Sequence, residues 1–170
     1  MNKRGEHIAL FVQRYKLLRE IGQLQVEAEA DESAYLARCC AILLRDPECC
    51  LAWVGRQEKD RTITPLHIAV KDPAAEQQCQ LLVHQLALEP EAINPAARAQ
   101  ATERHVVCND LADEANPVTL RRIAAASGGR SCISWPLSHD QQKYGVLTVQ
   151  STRTAGFADP AGIDFIANRA

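Results

Sequence analysis

Two pairs of apolar runs, each pair separated by a short charged link, constrain this chain more than any other feature. Residues 49–56 and 62–70 flank Glu58-Lys59-Asp60-Arg61, and residues 131–137 and 145–152 flank the polar stretch 140–143. Runs of this length, rich in β-branched and aromatic residues and joined by a tight polar turn, read as hairpins. Two hairpins imply an antiparallel sheet, and a sheet buries its apolar face only against a second layer. Helical patterns on both sides of the hairpins supply that layer. The predicted class is therefore α+β: one antiparallel sheet, terminal helices on one face, short middle helices on the other.

Helical signals fill the rest of the chain. No proline precedes Pro47, and Leu10, Leu17, Ile21, Leu24 and Ala28 recur at near-helical spacing beside a second stripe of Ile8, Phe11, Tyr15 and Leu18. That band is wider than a solvent-facing helix needs. It fits a helix packed on its own domain, or one packed on the domain and on a second copy of itself. Asp31-Glu32-Ser33 breaks the pattern and can cap a second helix over 34–45, which Asp46-Pro47 ends. Pro73 opens a helical stretch over 74–88, and Pro90 and Pro95 bracket an irregular segment before a short helix of small residues at 96–102. Residues 105–108 read as a short strand. Asn116 as N-cap and Pro117 at the first position start a helix over 118–126, and Ser127-Gly128-Gly129 stops it. Asp159-Pro160 starts a last helix carrying Ile163, Ile166 and Ala170 on one face. It lacks a stop signal, as expected of a helix that runs on past residue 170. Residues 1–30 are expected to be an amphipathic signalling and dimerisation helix, and residues 31–170 the domain itself.

Charge and composition exclude several classes. The 19 Lys+Arg and 21 Asp+Glu of the 170 residues leave a net charge of −2, which offers no field to hold a phosphate backbone. The longest apolar runs, 8–12 and 49–54, fall far short of the ~20 residues a membrane span requires. Lys3 and Arg4 precede an apolar stretch that ends at Gln13, too short for a secretory signal. Seven cysteines, an odd number without such a signal, fit free thiols in a reducing cytoplasm.

An ordered set of short stretches resembles the GAF domain, a small-molecule-sensing module of signalling proteins. These are Leu-Ala-Trp-Val-Gly at 51–55, Val-Val-Cys-Asn-Asp-Leu at 106–111, Gly-Gly-Arg-Ser-Cys-Ile-Ser-Trp-Pro-Leu at 128–137, Tyr-Gly-Val-Leu-Thr-Val-Gln-Ser at 144–151, and Phe157. Their order and spacing match over roughly residues 33–168. The Ala-Trp-Val-Gly form looks most like GAF domains found upstream of diguanylate cyclase, phosphodiesterase or histidine kinase modules. The resemblance implies a profilin-like, six-stranded antiparallel sheet with a ligand pocket on the face opposite the terminal helices. It implies a homodimer through the N- and C-terminal helices, with Phe11, Tyr15, Leu18, Ile21 and Leu24 in the interface.

The candidate ligand-binding residues are Trp53, His67, Asn94, Asp110, Arg121, Ser131 and Ile133. Several have a plainer reading. Trp53 shares one strand face with Leu51 and Gly55, where core packing is the plainer reading. Gly55 can let another backbone approach. Arg121 can meet an anionic ligand or sit on a solvated helix face. By alternation Ser131, Ile133 and Trp135 point one way and Cys132 and Ser134 the other, but the pattern does not say which way the pocket lies. His67 is the histidine best placed for a haem. His105 and Cys108, three apart on a strand, face opposite sides and make a poor metal pair. The adjacent pairs Cys39-Cys40 and Cys49-Cys50 read as small buried hydrophobes, with nothing in the sequence to activate a thiol.

Specialised GAF variants fit poorly. Thr152-Arg153 and Ala161-Gly162 stand where cyclic-nucleotide binders carry Asn-Lys and Asp-Glu. No cysteine precedes a histidine, as bilin attachment often requires. Ser131-Cys132-Ile133, with no cysteine in 123–126, departs from the free methionine sulfoxide reductases. The cofactor is unassigned. The expected function is a non-catalytic sensory domain in cyclic-di-GMP or two-component signalling, binding a small molecule and driving an output domain. The alternatives are a thiol-dependent small-molecule reductase and a purely structural dimerisation domain whose pocket its own side chains fill.

Overall fold

The computed structural model describes residues 32–139 and 142–157; side chains of His139 and Gln142 are excluded. The N-terminal stripes with Phe11, Tyr15, Leu18, Ile21 and Leu24, the tip of the second hairpin and the last helix lie outside the described residues.

The elements in order are α1 (Glu32–Leu43), β1 (Cys49–Gln57), β2 (Ile63–Val70), a 3-10 turn (Pro73–Ala75), α2 (Glu76–Ala87), α3 (Pro95–Thr102), β3 (Val106–Cys108), α4 (Val118–Ser127), β4 (Ser131–His139) and β5 (Gln142–Ser151). The strands form one sheet in the order β2-β1-β5-β4-β3, with every neighbouring pair antiparallel. Both hairpins are present, and β5 pairs with β1 to join them in the middle of the sheet. Five strands are described where the resemblance implies six. The segment between α2 and β3 spends its backbone bonds on turns and α3, so β3, three residues long, ends that side of the sheet.

Local chemistry explains the boundaries. Asp46 Oδ1 accepts from the Glu48 N–H at 2.9 Å and the Asp46 carbonyl from Cys49 N–H at 3.1 Å, so the chain turns sharply after α1. The helix ends at Leu43, two residues before the expected limit. In the first hairpin, Asp60 Oδ1 accepts from the Thr62 N–H at 3.0 Å and the Thr62 hydroxyl at 2.6 Å, and Glu58 N–H donates to Thr62 O at 2.9 Å. Gly128 stops α4 with φ +76°, and Gly129 N–H returns to Ala124 O at 3.0 Å.

The expected cap of α4 is corrected. Pro117, not Asn116, occupies the cap position, without a side-chain hydrogen bond. The Asn116 amide is drawn away: Nδ2 donates to Asp110 O at 2.7 Å, and Oδ1 accepts from the Cys108 thiol at 3.4 Å.

The sheet separates two cores. On one face Leu36 and Cys40 of α1 pack with Ala52, Val54, Ile133, Val149 and Phe157. On the other, Leu51, Trp53, Ile68, Cys132 and Val146 pack beneath α2, α3 and α4 through Cys79, Leu82, Val83, Leu86, Ala96, Ala99, Leu120 and Ile123. The alternation in residues 51–55 is thus realised: Leu51 and Trp53 on one side, Ala52 and Val54 on the other. Close backbone approach falls at Gly145 rather than Gly55. A Cβ on Gly145 would collide with the Gly55 carbonyl, whereas one on Gly55 would meet the Ile63 and Trp53 side chains.

Candidate functional site beneath the middle helices

The register aligns two rows of side chains across the face covered by α2–α4. One runs Ile68, Trp53, Thr148, Ser134 and Val106; the next runs Val70, Leu51, Gln150, Cys132 and Cys108. Directly opposed residues of antiparallel strands share a face, so each row is contiguous. Polar groups interrupt both rows near the centre. The buried hydroxyls of Ser134 and Thr148 bond each other at 2.8 Å. Gln150 Oε1 accepts from the Ser127 hydroxyl of α4 at 2.9 Å. Buried polar groups are normally paired in this way.

A hollow of about 10 Å³ lies at this centre, lined by Trp53, Leu86, Pro95, Ala96, Leu120, Cys132, Ser134, Thr148 and Gln150. Its volume is close to the minimum for one water molecule. Gln100, four residues after Ala96 and so on the same side of α3, is 1% exposed, and neither its Oε1 nor its Nε2 has a hydrogen-bond partner. An orphaned, fully buried amide is uncommon and destabilising.

The sequence-predicted residues divide between the faces. Trp53 lies at the hollow, 1% exposed. Asn94 is fully buried as the N-cap of α3: Oδ1 accepts from Ala96 N–H at 3.0 Å and Ala97 N–H at 3.4 Å, and Nδ2 donates to Leu86 O at 2.7 Å. Its neighbours Pro95 and Ala96 line the hollow; Asn94 does not. Asp110 is exposed, and its Oδ1 accepts from Ala112 N–H at 3.0 Å. Arg121, on α4, has a buried Nε without a hydrogen-bond partner. His67 pairs with Val54 and therefore shares the α1 face. Ile133 is on that α1 face too. The Ser131 hydroxyl donates to Arg153 O at 2.6 Å and accepts from Gly156 N–H at 3.1 Å, tying down the loop after β5. The structure thus brings Trp53 to the hollow and sends His67 and Ile133 to the opposite side of the sheet.

Sequence reasoning missed Thr148 and Gln150 at the hollow and the buried Gln100 on α3. Their signal was polar residues placed two apart on β5, and one glutamine among alanines on α3. Ser134 and Cys132 had been assigned a common face, and the register gives that face to the hollow.

The cysteines separate into two kinds. Burial pushes up the thiols of Cys39, Cys50 and Cys79, and those of Cys40 and Cys49 to about 12. Cys108 is the exception. Hydrogen bonding with the facing Cys132 brings its thiol down to about 7, against desolvation and the Asp110 charge. Cys132, 0% exposed, is raised by the same hydrogen bond and by burial.

A second, open groove of about 390 Å³ runs between the β1–β2 turn and the α2–α3 link, with Arg61, Leu88, Glu89 and Lys143 among its walls. Among the described residues no three His, Cys, Asp or Glu side chains converge to hold a metal, and no helix is long and apolar enough to cross a membrane.

An antiparallel sheet with α1 on one face, and a small hollow under three short helices on the other, defines a GAF-like α+β domain. A family model described as GAF domain matches residues 29–168, and the chain belongs to the GAF domain family. Among solved structures it is similar to a free methionine-R-sulfoxide reductase from Neisseria meningitidis in complex with its substrate, with 21% identity, TM-score 0.62, and 89% of this chain and 82% of that one covered. It is similar to a protein described as a GAF sensor from Burkholderia vietnamiensis, with 16% identity, TM-score 0.63, and coverage of 95% and 90%. A third is a domain described as that of a two-component sensor histidine kinase from Sinorhizobium meliloti, with 13% identity, TM-score 0.58, and coverage of 83% and 88%. At these identities the likeness is one of fold. None of the curated proteins matches the chain.

Proposed function

We propose that this domain is a non-catalytic sensor that takes a small polar molecule between α3 and the β4–β5 face. The observation that carries the reading is the orphaned, fully buried amide of Gln100 on α3, the helix whose Pro95 and Ala96 line a hollow floored by Ser134, Thr148 and Gln150. A guest with a donor and an acceptor would satisfy that amide, and Trp53 offers an apolar wall. The present hollow holds about one water, so binding requires α3 to lift; its short length and its proline-bounded entry suit such a movement. A ligand moves that equilibrium only by its difference in affinity for the two states. We assign the output to an attached domain of cyclic-di-GMP or two-component signalling, in the cytoplasm, reached through a homodimer of terminal helices that includes Phe11, Tyr15, Leu18, Ile21 and Leu24.

The test is native mass spectrometry of the protein purified from its own host. A retained small mass in the wild type, lost in Gln100→Met, supports the sensor. Its absence in every preparation favours a second reading for which the tightly filled hollow speaks: a structural dimerisation module. Light scattering that finds only monomer removes both dimer-based readings. A thiol-dependent reductase remains the enzyme alternative, resting on Cys108 and Cys132. Turnover of free methionine sulfoxide with thioredoxin recycling, abolished in a Cys108→Ser/Cys132→Ser double variant, would establish it instead.

A further inference from the structure

We propose that Cys108 and Cys132 are a hydroperoxide-reactive thiol pair that closes a reversible cross-strand disulfide at the edge of the sheet. This goes beyond the sensor reading and does not depend on it.

Geometry comes first. Cys108 of β3 stands directly opposite Cys132 of β4. Opposed residues of an antiparallel pair have Cα atoms about 4.5–5.5 Å apart, inside the range of about 4.4–6.8 Å that a disulfide spans. Both side chains belong to the core under α3, so the two sulfurs face each other rather than point to opposite sides. Both are free thiols. β3 has three residues, lies at the sheet edge, and ends at Cys108 itself. A short edge strand followed by a loop can make the small adjustment that bond formation requires.

Access and reactivity are divided between the partners. Cys108 is partly exposed, and Cys132 is fully buried behind it. The groups around them are the Asp110 carboxylate and Asn116 amide from the following loop, and Arg98 of α3, whose charge favours the Cys132 thiolate. Cys108 is the more acidic of the pair, through its hydrogen bonding with Cys132, and in its thiol form it donates to Asp110 O at 3.5 Å and Asn116 Oδ1 at 3.4 Å. The five remaining cysteines are buried with raised thiols, which makes them inert. The arrangement thus has one attacking sulfur and one resolving sulfur.

The chemistry balances with a hydroperoxide as oxidant. The Cys108 thiolate attacks the terminal oxygen of ROOH. An S–O bond forms, the O–O bond breaks, and the departing alkoxide takes a proton from solvent as ROH. The Cys132 sulfur then attacks the Cys108 sulfenic acid. An S–S bond forms, the S–O bond breaks, and the hydroxide leaves as water with the Cys132 proton. In sum, two thiols and one hydroperoxide give one disulfide, one alcohol and one water, with two electrons passing from sulfur to the peroxide. A dithiol reductant reverses the bridge by exchange.

The experiment uses the intact, reduced protein treated with an equimolar amount of hydrogen peroxide, followed by non-reducing peptide mapping. The expected product is a Cys108–Cys132 cross-linked peptide that dithiothreitol removes. In Cys132→Ser, Cys108 should stop at a sulfenic acid that dimedone traps; in Cys108→Ser, Cys132 should stay reduced. With iodoacetamide at neutral pH, Cys108 of the wild type should react about tenfold faster than any other cysteine. A dominant bridge between other cysteines, the absence of a Cys108–Cys132 peptide, or Cys108 alkylation no faster than that of Cys39 overturns the proposal. The mapping and alkylation need no variant, so a poorly folding mutant does not blunt the test.

Discussion

Replacing Gln100 by methionine removes the two orphaned polar atoms while keeping side-chain length and an unbranched stem. In the ligand-free domain the amide has exchanged water for an apolar enclosure without gaining a partner. A buried polar group left in that condition is destabilising by about 1–3 kcal/mol, and methionine adapts readily to irregular space. Gln100→Met should therefore stabilise the ligand-free domain by about 2 kcal/mol. For a domain of this size that raises Tm by about 4–8 °C. The assay is reversible thermal or urea unfolding of protein freed of small molecules by unfolding and refolding. The urea midpoint should rise with an unchanged slope, since the surface exposed on unfolding is the same. The same variant should retain no small molecule in native mass spectrometry, because the group that selects the guest is gone. Stability bought at the expense of binding is the signature of a site. If Gln100→Met is neutral, or destabilises by about 1 kcal/mol or more, the amide is already satisfied and the reasoning about the hollow fails.

Three further perturbations test the surrounding structure. Asn94→Ala removes the α3 cap and one of the bonds to the Leu86 carbonyl, which keeps the Glu89 N–H, so it should lower stability by about 1–2 kcal/mol in urea titration; a loss below about 0.5 kcal/mol would show that the cap carries no such load. Ser134→Val strands the Thr148 hydroxyl and should lower stability by about 1–3 kcal/mol, whereas Ser134→Val/Thr148→Val should lie close to wild type, a non-additivity that a double-mutant cycle measures. The Cys108 thiol, faced by Cys132, Arg98 and Asp110, is held near 7 in the folded state against an ordinary value of 9.0. Its contribution to stability is present above about pH 9 and lost as pH falls through about 7. Its alkylation rate should rise between about pH 6 and 8 and then level off; a rate that climbs only above pH 8 contradicts the shift.

The sheet was legible because its determinants are local. Each hairpin is announced by two apolar runs and the charged link between them, and Asp60 shows why such a link works: one carboxylate ties the Thr62 amide and hydroxyl into the turn. The stop of α4 was legible for the same reason, since Gly128 adopts the left-handed conformation that a helix end favours. The start of α4 was misread because Asn116 had a competing partner eight residues away, the Cys108 sulfur, which no local rule anticipates. The site was legible only in part. Alternation grouped Ser131 with Ile133 and Cys132 with Ser134 correctly, yet which set faces the hollow depends on how β4 registers with β5 and which layer covers it. His67 and Ile133 fell on the α1 face for that non-local reason. Asn94 was expected among the ligand-binding residues; in the structure backbone groups of α2 and α3 occupy its amide. The depressed Cys108 thiol was invisible because its cause, Cys132, is 24 positions away along the chain and opposite it only through strand pairing.

The central strands also determine how occupancy beneath α3 could be felt at α1. β1 carries Leu51 and Trp53 on the hollow side and Ala52 and Val54 against Leu36 and Cys40 of α1. β5 does the same with Thr148 and Gln150 on one side and Val149 on the other. At Gly145 the Gly55 carbonyl fills the space where a side chain would stand, so β1 and β5 approach closely there. A guest that lifts α3 and displaces Trp53 therefore presses on a pair of strands rather than on one. Close-packed interiors transmit such displacement instead of absorbing it, and the contact on the far side is α1. The thiol pair sits differently. Cys132 lies in the same row as Gln150, while Cys108 belongs to the short edge strand, which among the described strands pairs only with β4. A bridge between them alters the rim of the hollow, which Cys132 lines. Cys132 itself lines the hollow beside Gln150, so a bridge to Cys108 acts on the site's own wall, and a bridged protein should change its affinity for the guest.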